Sequence, residues 1–420
     1  MHWTYKSLVV LITALIIGCS EIPSAQAGVC PQDCTVPPIL TPDPFPRPFA
    51  SDSIWNRAIP PNAEFADISD ALFGDPAQII TLLGVDVVVA CYSDPNEPLV
   101  QIQRSLGWSY PERACSSGEV LYSRHLAADA CTGVSWIPTG NALFNIIDPI
   151  TGLADENVAA WRCPRGPLLA FLGDNPEAHN IDIVNGDGLI GEGRGSGLVA
   201  LGGALRQGEL NNGIPHALAV NMNARRFSQD LHFIWPASQA DGFADDPVQG
   251  YHGPNRHYTM GTLLAIPPDV DLALLTWNTP QGFNMAVAAQ TYGMYVVDDS
   301  AMSNAMQMGI EVRAAIADTG FAVDPVTGEQ TVDPLLIDEV GFEADVMAIQ
   351  SLVQAVVSNA PNGAGVPTIA QGGMMVMVLL LLTAGTVVFR HRGSRVTSRG
   401  FVDSCRSSRR VERDTRAAVR

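Results

Sequence analysis

The chain has 420 residues, 43 acidic and 24 basic, for a formal net charge of −19. The imbalance is uneven: residues 28–389 hold 39 acidic and 13 basic side chains, a net −26, while ten arginines crowd residues 390–420. A field of that sign excludes nucleic acid, which needs basic surface, and disfavours anionic polymers; a neutral or cationic ligand, or divalent cations, suits it better.

At the N-terminus Lys6, the only lysine, precedes the apolar run Leu8 to Ile17, and Ala25 and Ala27 form an A-x-A site before Gly28. This is the layout of a secretory signal over residues 1–27. Cys19 in "LIIGC" offers the alternative of lipoprotein processing. Residues 28–50 are dense in proline and read as an extended lead-in, and residues 51–360 form the exported globular domain. Six cysteines fall outside the cell on this reading: Cys30, Cys34, Cys91, Cys115, Cys131 and Cys163. An even number in an oxidising compartment implies three disulfides, with sequence-nearest pairing as the simplest of several connectivities. No C-x-x-C pair or histidine cluster accompanies them, so no metal or other cofactor is expected.

Strand patterns dominate the middle of the domain. "NALFNII" ends on Asp148-Pro149 and Thr151-Gly152, and "ENVAAWRC" returns as a hairpin partner. "HNIDIVNGDG", "PHALAVNM", "GTLLAIPPDV" and "MYVVDDS" read as further strands. Helices come late. "NTPQGFNMAVAAQTYG" has Thr279 as cap, Pro280 in the first turn, Phe283, Ala286 and Val287 on one face and Gly293 as stop. "FEADVMAIQSLVQAVVSN" places Val346, Ile349, Leu352, Val353 and Val356 at helical spacing. The expected fold is β-rich, a sandwich or compact barrel with a few packing helices.

The densest candidate for chemistry is "GEGRGSGLVALGGALRQGELNNGIPHAL", with five glycines in its first twelve residues. It is not a phosphate loop, which requires a lysine. Glu209 in a turn and His216 at a strand end have the chemistry of a general acid and base. Asp298, closing the strand "MYVV", would join Glu209 as the second carboxylate that glycoside cleavage needs. Arg206, Asp241, Tyr251, His252 and His257 are the substrate-binding candidates, the last three in a Gly/Pro-rich loop whose aromatic rings suit stacking on sugars. The plainer alternatives are a structural histidine, a helix-end carboxylate and an irregular surface loop. No G-x-S-x-G or H-E-x-x-H occurs, so serine-hydrolase and zinc-protease signatures are missing.

Beyond a Gly/Pro linker over 361–371, Gly372 to Phe389 is an uncharged apolar stretch of membrane-spanning length. The arginines that follow place residues 390–420 in the cytoplasm and the domain outside.

The order of Val366-Pro367-Thr368-Ile369, apolar helix and arginine cluster resembles the IPTL-CTERM sorting segment of Gram-negative surface proteins, with Ala370-Gln371-Gly372 in place of the usual Ser-Glu-Trp. That resemblance implies a dedicated sorting protease as a partner. "SIWNRAIPPNA", "GSGLVALGGALRQGELNNGIPHALAV", "WPASQADG" and "YGMYVVDDS" together resemble a group of secreted bacterial proteins over residues 51–363. This likeness implies export or anchoring and carries no reaction. Two functions are therefore expected of a membrane-anchored surface protein: a polysaccharide-acting glycosidase or lyase, or a non-catalytic adhesion or carbohydrate-binding module.

Overall fold

The computed structural model describes residues 45, 47–69, 87–104, 119–126, 142–162, 168–171, 180–300, 306–323 and 330–357, and within β6, β7, β14 and β15 mainly the backbone. The signal segment, the apolar stretch 372–389 and every exported cysteine except Cys91 lie outside them. Among the described residues no helix is long and apolar enough to cross a membrane.

The domain is mainly β-sheet. Its strands are β1 (Phe65–Ala66), β2 (Val87–Tyr92), β3 (Leu99–Arg104), β4 (Val120–His125), β5 (Ala142–Ile147), β6 (Leu153–Arg162), β7 (Leu168–Phe171), β8 (Ile181–Asp182), β9 (Leu218–Met222), β10 (Leu263–Ala265), β11 (Met294–Asp299), β12 (Gln307–Met308), β13 (Ile310–Glu311), β14 (Ala322–Val323), β15 (Gln330–Thr331) and β16 (Gln354–Val356). Among the described residues four α-helices accompany them: α1 (Glu209–Asn212), α2 (Pro280–Thr291), α3 (Val312–Thr319) and α4 (Glu339–Leu352). One sheet runs β1-β16-β10-β11-β9-β12, a second β13-β2-β5-β6-β7-β3-β4 with β8 beside β6, and β14 and β15 form a separate hairpin.

The period-2 alternation of each strand sorts its side chains into layers. In β11, Met294 and Val296 join the helices in one core, while Tyr295 and Val297 face a second core. That second core also takes Val88 and Ala90 of β2 and Leu143 and Ile147 of β5, so it joins the two sheets. The opposite face of the second sheet, with Val89, Cys91, Phe144 and Ile146, packs with Val312 of α3.

Local signals explain the elements. The β5–β6 hairpin forms as its turn residues dictate, with the Asp148 carboxylate accepting from Ile150 N–H at 2.8 Å. Helix α2 begins where Thr279 Oγ1 accepts from Gly282 N–H. Its buried face differs from the expected one: Met285, Ala286, Ala288 and Ala289 point inward, and Phe283 and Val287 are exposed. The last helix starts earlier than its apolar spacing predicts, because Asp338 caps it by accepting from Gly341 N–H. It also stops earlier, since Gln354 to Val356 pair with β1 and β10 as a strand. Asp345 locks these two helices together. Its buried carboxylate accepts from Asn278 N–H and Nδ2 and from Thr279 N–H and Oγ1, at 2.7–2.9 Å.

Residues 191–203 fill the space between the sheets. Trp55 is buried there, and its Nε1 donates to Gly188 O at 2.9 Å. A Cβ on Gly202 would lie 2.2 Å from Trp55 Cε2, and one on Gly191 2.3 Å from Glu156 Oε2. The buried Glu156 accepts from Ala200 N–H at 2.6 Å through Oε1, and buried Arg194 donates to Gly202 O and Ala200 O. The glycines are thus dictated by close approach.

Overpacking of this kind costs about 1–3 kcal/mol. Gly202→Ala should lower stability in urea by that amount, whereas Gly242→Ala, at an exposed site with nothing within 4 Å of its Cβ, should change it by less than about 0.5 kcal/mol.

Candidate functional site

Glu209 opens the single turn α1, after Gly208 at φ 88°. Its Oε2 accepts from Arg206 N–H at 2.6 Å and lies 3.0 Å from His216 Nε2. His216 Nδ1 lies 2.8 Å from the Ala217 carbonyl oxygen. A carbonyl can only accept, so Nδ1 is the donor to Ala217 O, and Nε2 faces the Glu209 carboxylate. Both side chains are buried. With neither ring nitrogen open to a substrate, the pair serves the fold. Next to it the Asp318 carboxylate accepts from Gly208 N–H at 2.9 and 2.7 Å. Burial pushes the Asp318 carboxyl up, the Gly208 N–H opposes this and the Glu209 charge adds to it. Arg206 is buried as well and donates to Phe45 O at 3.0 Å, so it lines no open substrate site.

Glu209, His216 and Asp298 do not converge, contrary to the expectation from sequence. Strand β9 runs parallel to β11 with Asn221 opposite Asp298 and Met222 opposite Asp299. His216 lies two residues before β9 begins at Leu218, and Leu218 is about 10 Å along the strand from Asn221. The pair and Asp298 therefore occupy opposite ends of β9 and β11 instead of one shared site.

Asp298 instead meets Asp241 and Asp299, with one oxygen of each within 4.8 Å of the others. A bulge at Val297 shifts the β11–β9 register just before Asp298, re-aiming the end of the strand. Gly195 N–H donates to Asp298 Oδ2 at 3.0 Å, and Tyr251 O–H donates to Asp241 Oδ2 at 2.8 Å. A Cβ on Gly195 would lie 2.2 Å from Asp241 Oδ1. Burial, then the Asp241 charge, pushes the Tyr251 phenol far above its ordinary range, so it stays a donor. Three such carboxylates are the donor type a hard cation takes; the acidic charge suits divalent cations, but the sequence does not show that these three side chains meet.

The aromatic loop is assigned differently as well. Tyr251 and Tyr258 are buried and set edge-on against Phe227, with centroids 5.1 and 5.4 Å away, so they belong to the core rather than to a stacking platform. His252 and His257 are exposed on the loop that follows, anchored through their backbone N–H groups to Arg225 O and Asn255 Oδ1. The exposed aromatic rings nearby are Phe233 and Trp235, 41% and 48% exposed. Ile234 N–H donates to Met260 O, Gly261 N–H to Val296 O and Ser238 N–H to Ser196 O, which ties residues 233–241 to the Asp298 end of β11. The signal for them was "HFIWP", two rings at a spacing of two before a proline.

No protein-family model, curated protein or solved structure matches this chain. For the buried pair, His216→Ala should lower the unfolding free energy by about 1–3 kcal/mol in a denaturant titration, because it removes the imidazole from the buried Glu209 carboxyl and leaves that carboxyl only the Arg206 N–H.

Proposed function

We propose that the chain is an exported cell-surface protein, anchored in the membrane by residues 372–389, whose outer domain binds a carbohydrate without cleaving it. The observation that carries this reading is the exposed pair Phe233 and Trp235 on the segment that runs into Asp241, beside Asp298. Aromatic faces take up the apolar face of a sugar ring, and convergent carboxylates accept from its hydroxyls and fix its orientation. The strongly acidic domain favours a neutral glycan. Within the domain, which we read as a sandwich of its two large sheets, the burial of Glu209 and His216 and their distance from Asp298 speak against the expected catalytic trio. A sorting protease acting on residues 366–369 remains part of this proposal.

A second reading, glycoside cleavage, is favoured by one observation: Asp241 and Asp298 approach within 4.8 Å. That is close to the carboxyl spacing of retaining glycosidases, about 5 Å.

Full-length protein purified in detergent separates the two. Presented with a panel of neutral polysaccharides, it should retain one class and release no new reducing or unsaturated ends. Trp235→Ala and Phe233→Ala should each weaken that binding about tenfold, equivalent to about 1.4 kcal/mol, with unchanged thermal melting. New chain ends that disappear in Asp298→Asn would replace binding with catalysis as the function.

A further inference from the structure

We propose that the outer face of helices α2 and α4 is a self-association surface, on which a second copy of this chain seats the same face in a two-fold pair. On α4, Val340, Ala344, Met347 and Ser351 recur at the spacing of one helix face, and all four are exposed. Phe283 and Val287 do the same on α2, four residues apart. Each helix already gives a different face to the core, Met285 and Ala289 from α2 and Phe342, Val346 and Ile349 from α4. The outer stripes are therefore not needed to hold the helices on the domain. Local contacts join them into one patch. Asp345 of α4 accepts from Asn278 and Thr279 at the start of α2, and Gln281 Nε2 donates to Leu336 O at 3.4 Å. The Trp277 ring meets Phe283 edge-on, with centroids 6.2 Å apart.

Area and charge together point to the occupant. Leu274, Phe283, Val287, Leu335, Val340 and Met347 are between 36% and 91% exposed, in sum the equivalent of between three and four whole side chains. At roughly 100 Å² of apolar surface apiece, that is about 350 Å². A standard interface takes about 800 Å² from each partner, a little over half of it apolar, or about 450 Å². The patch supplies most of that share. A lipid surface would call for basic residues beside the apolar stripe. No lysine or arginine occurs in residues 263–311 or 330–357, and Asp271, Asp333, Glu339 and Glu343 flank the patch in sequence. A second copy needs no basic residue, because apolar centres meet while the acidic rims stay in water. Two exported regions of net −26 repel at long range, so salt should strengthen the pair by screening them. The proposal stands whether or not Phe233 and Trp235 bind carbohydrate.

Sedimentation equilibrium of the full chain in detergent, over about 1 to 100 μM, tests this. It should show a monomer–dimer equilibrium with Kd about 10 μM, the weak end for an interface of this size. The pair should tighten about threefold between about 0.05 and 0.5 M salt. Val340→Glu combined with Met347→Glu should weaken association by at least about tenfold and leave thermal melting unchanged. Leu335→Glu, outside both helices, should weaken it as well and covers the case in which the helix variant fails to fold. A dimer that persists in these variants would be held by another part of the chain, such as residues 372–389, and would overturn the proposal. A monomer across the whole range would also overturn it, leaving the face to lipid or to an unrelated partner. So would a pair that weakens with salt, which would mark a charge-paired contact.

Discussion

The close approach of residues 191–203 to Trp55 on one side and Glu156 on the other is the constraint from which the rest of the domain follows. A segment that fills the space between two sheets must satisfy its backbone without regular strand pairing. It does so through polar side chains held in the core, chiefly Glu156 and Arg194, whose charges are desolvated and partly offset each other. Glycine is the one residue that leaves room for both the indole and the carboxyl. An arrangement this tight transmits strain, since interiors packed like crystals shift in discrete steps.

The same packing separates two acidic neighbourhoods. Glu209, His216 and Asp318 close the entry to β9 and are consumed by hydrogen bonds within the fold. Asp241, Asp298 and Asp299 gather at the far end of β11, beside a glycine turn and exposed aromatic rings. A buried imidazole–carboxylate pair looks like catalytic machinery in a sequence. Its burial and the direction of both ring nitrogens make it a structural clamp.

Elements with local causes were legible. The β5–β6 hairpin has its turn chemistry, α2 its threonine cap and proline, and β9 and β11 their apolar runs. Elements decided by distant partners were misread. Gln354 to Val356 continue a helical pattern yet become a strand, because the edges of β1 and β10 offer hydrogen bonds there. Tyr251 and Tyr258 read as loop aromatics, but Phe227 draws them into the core. The exposure of Phe233 and Trp235 is not legible in the sequence, because a two-ring stretch has the same spacing whether it faces solvent or a core.

By itself the sequence determined the β-rich character and the strand and helix starts with clear caps or turns. These depend on residues a few positions apart, where propensity and periodicity act. Only the tertiary structure decided which acids meet. Gly195 and Asp298 lie 103 residues apart, Glu156 and Ala200 44 apart, and each contact exists because parallel pairing of β9 with β11 and packing between the sheets bring the segments together. No local pattern encodes such convergence, because it is set by how whole layers stack.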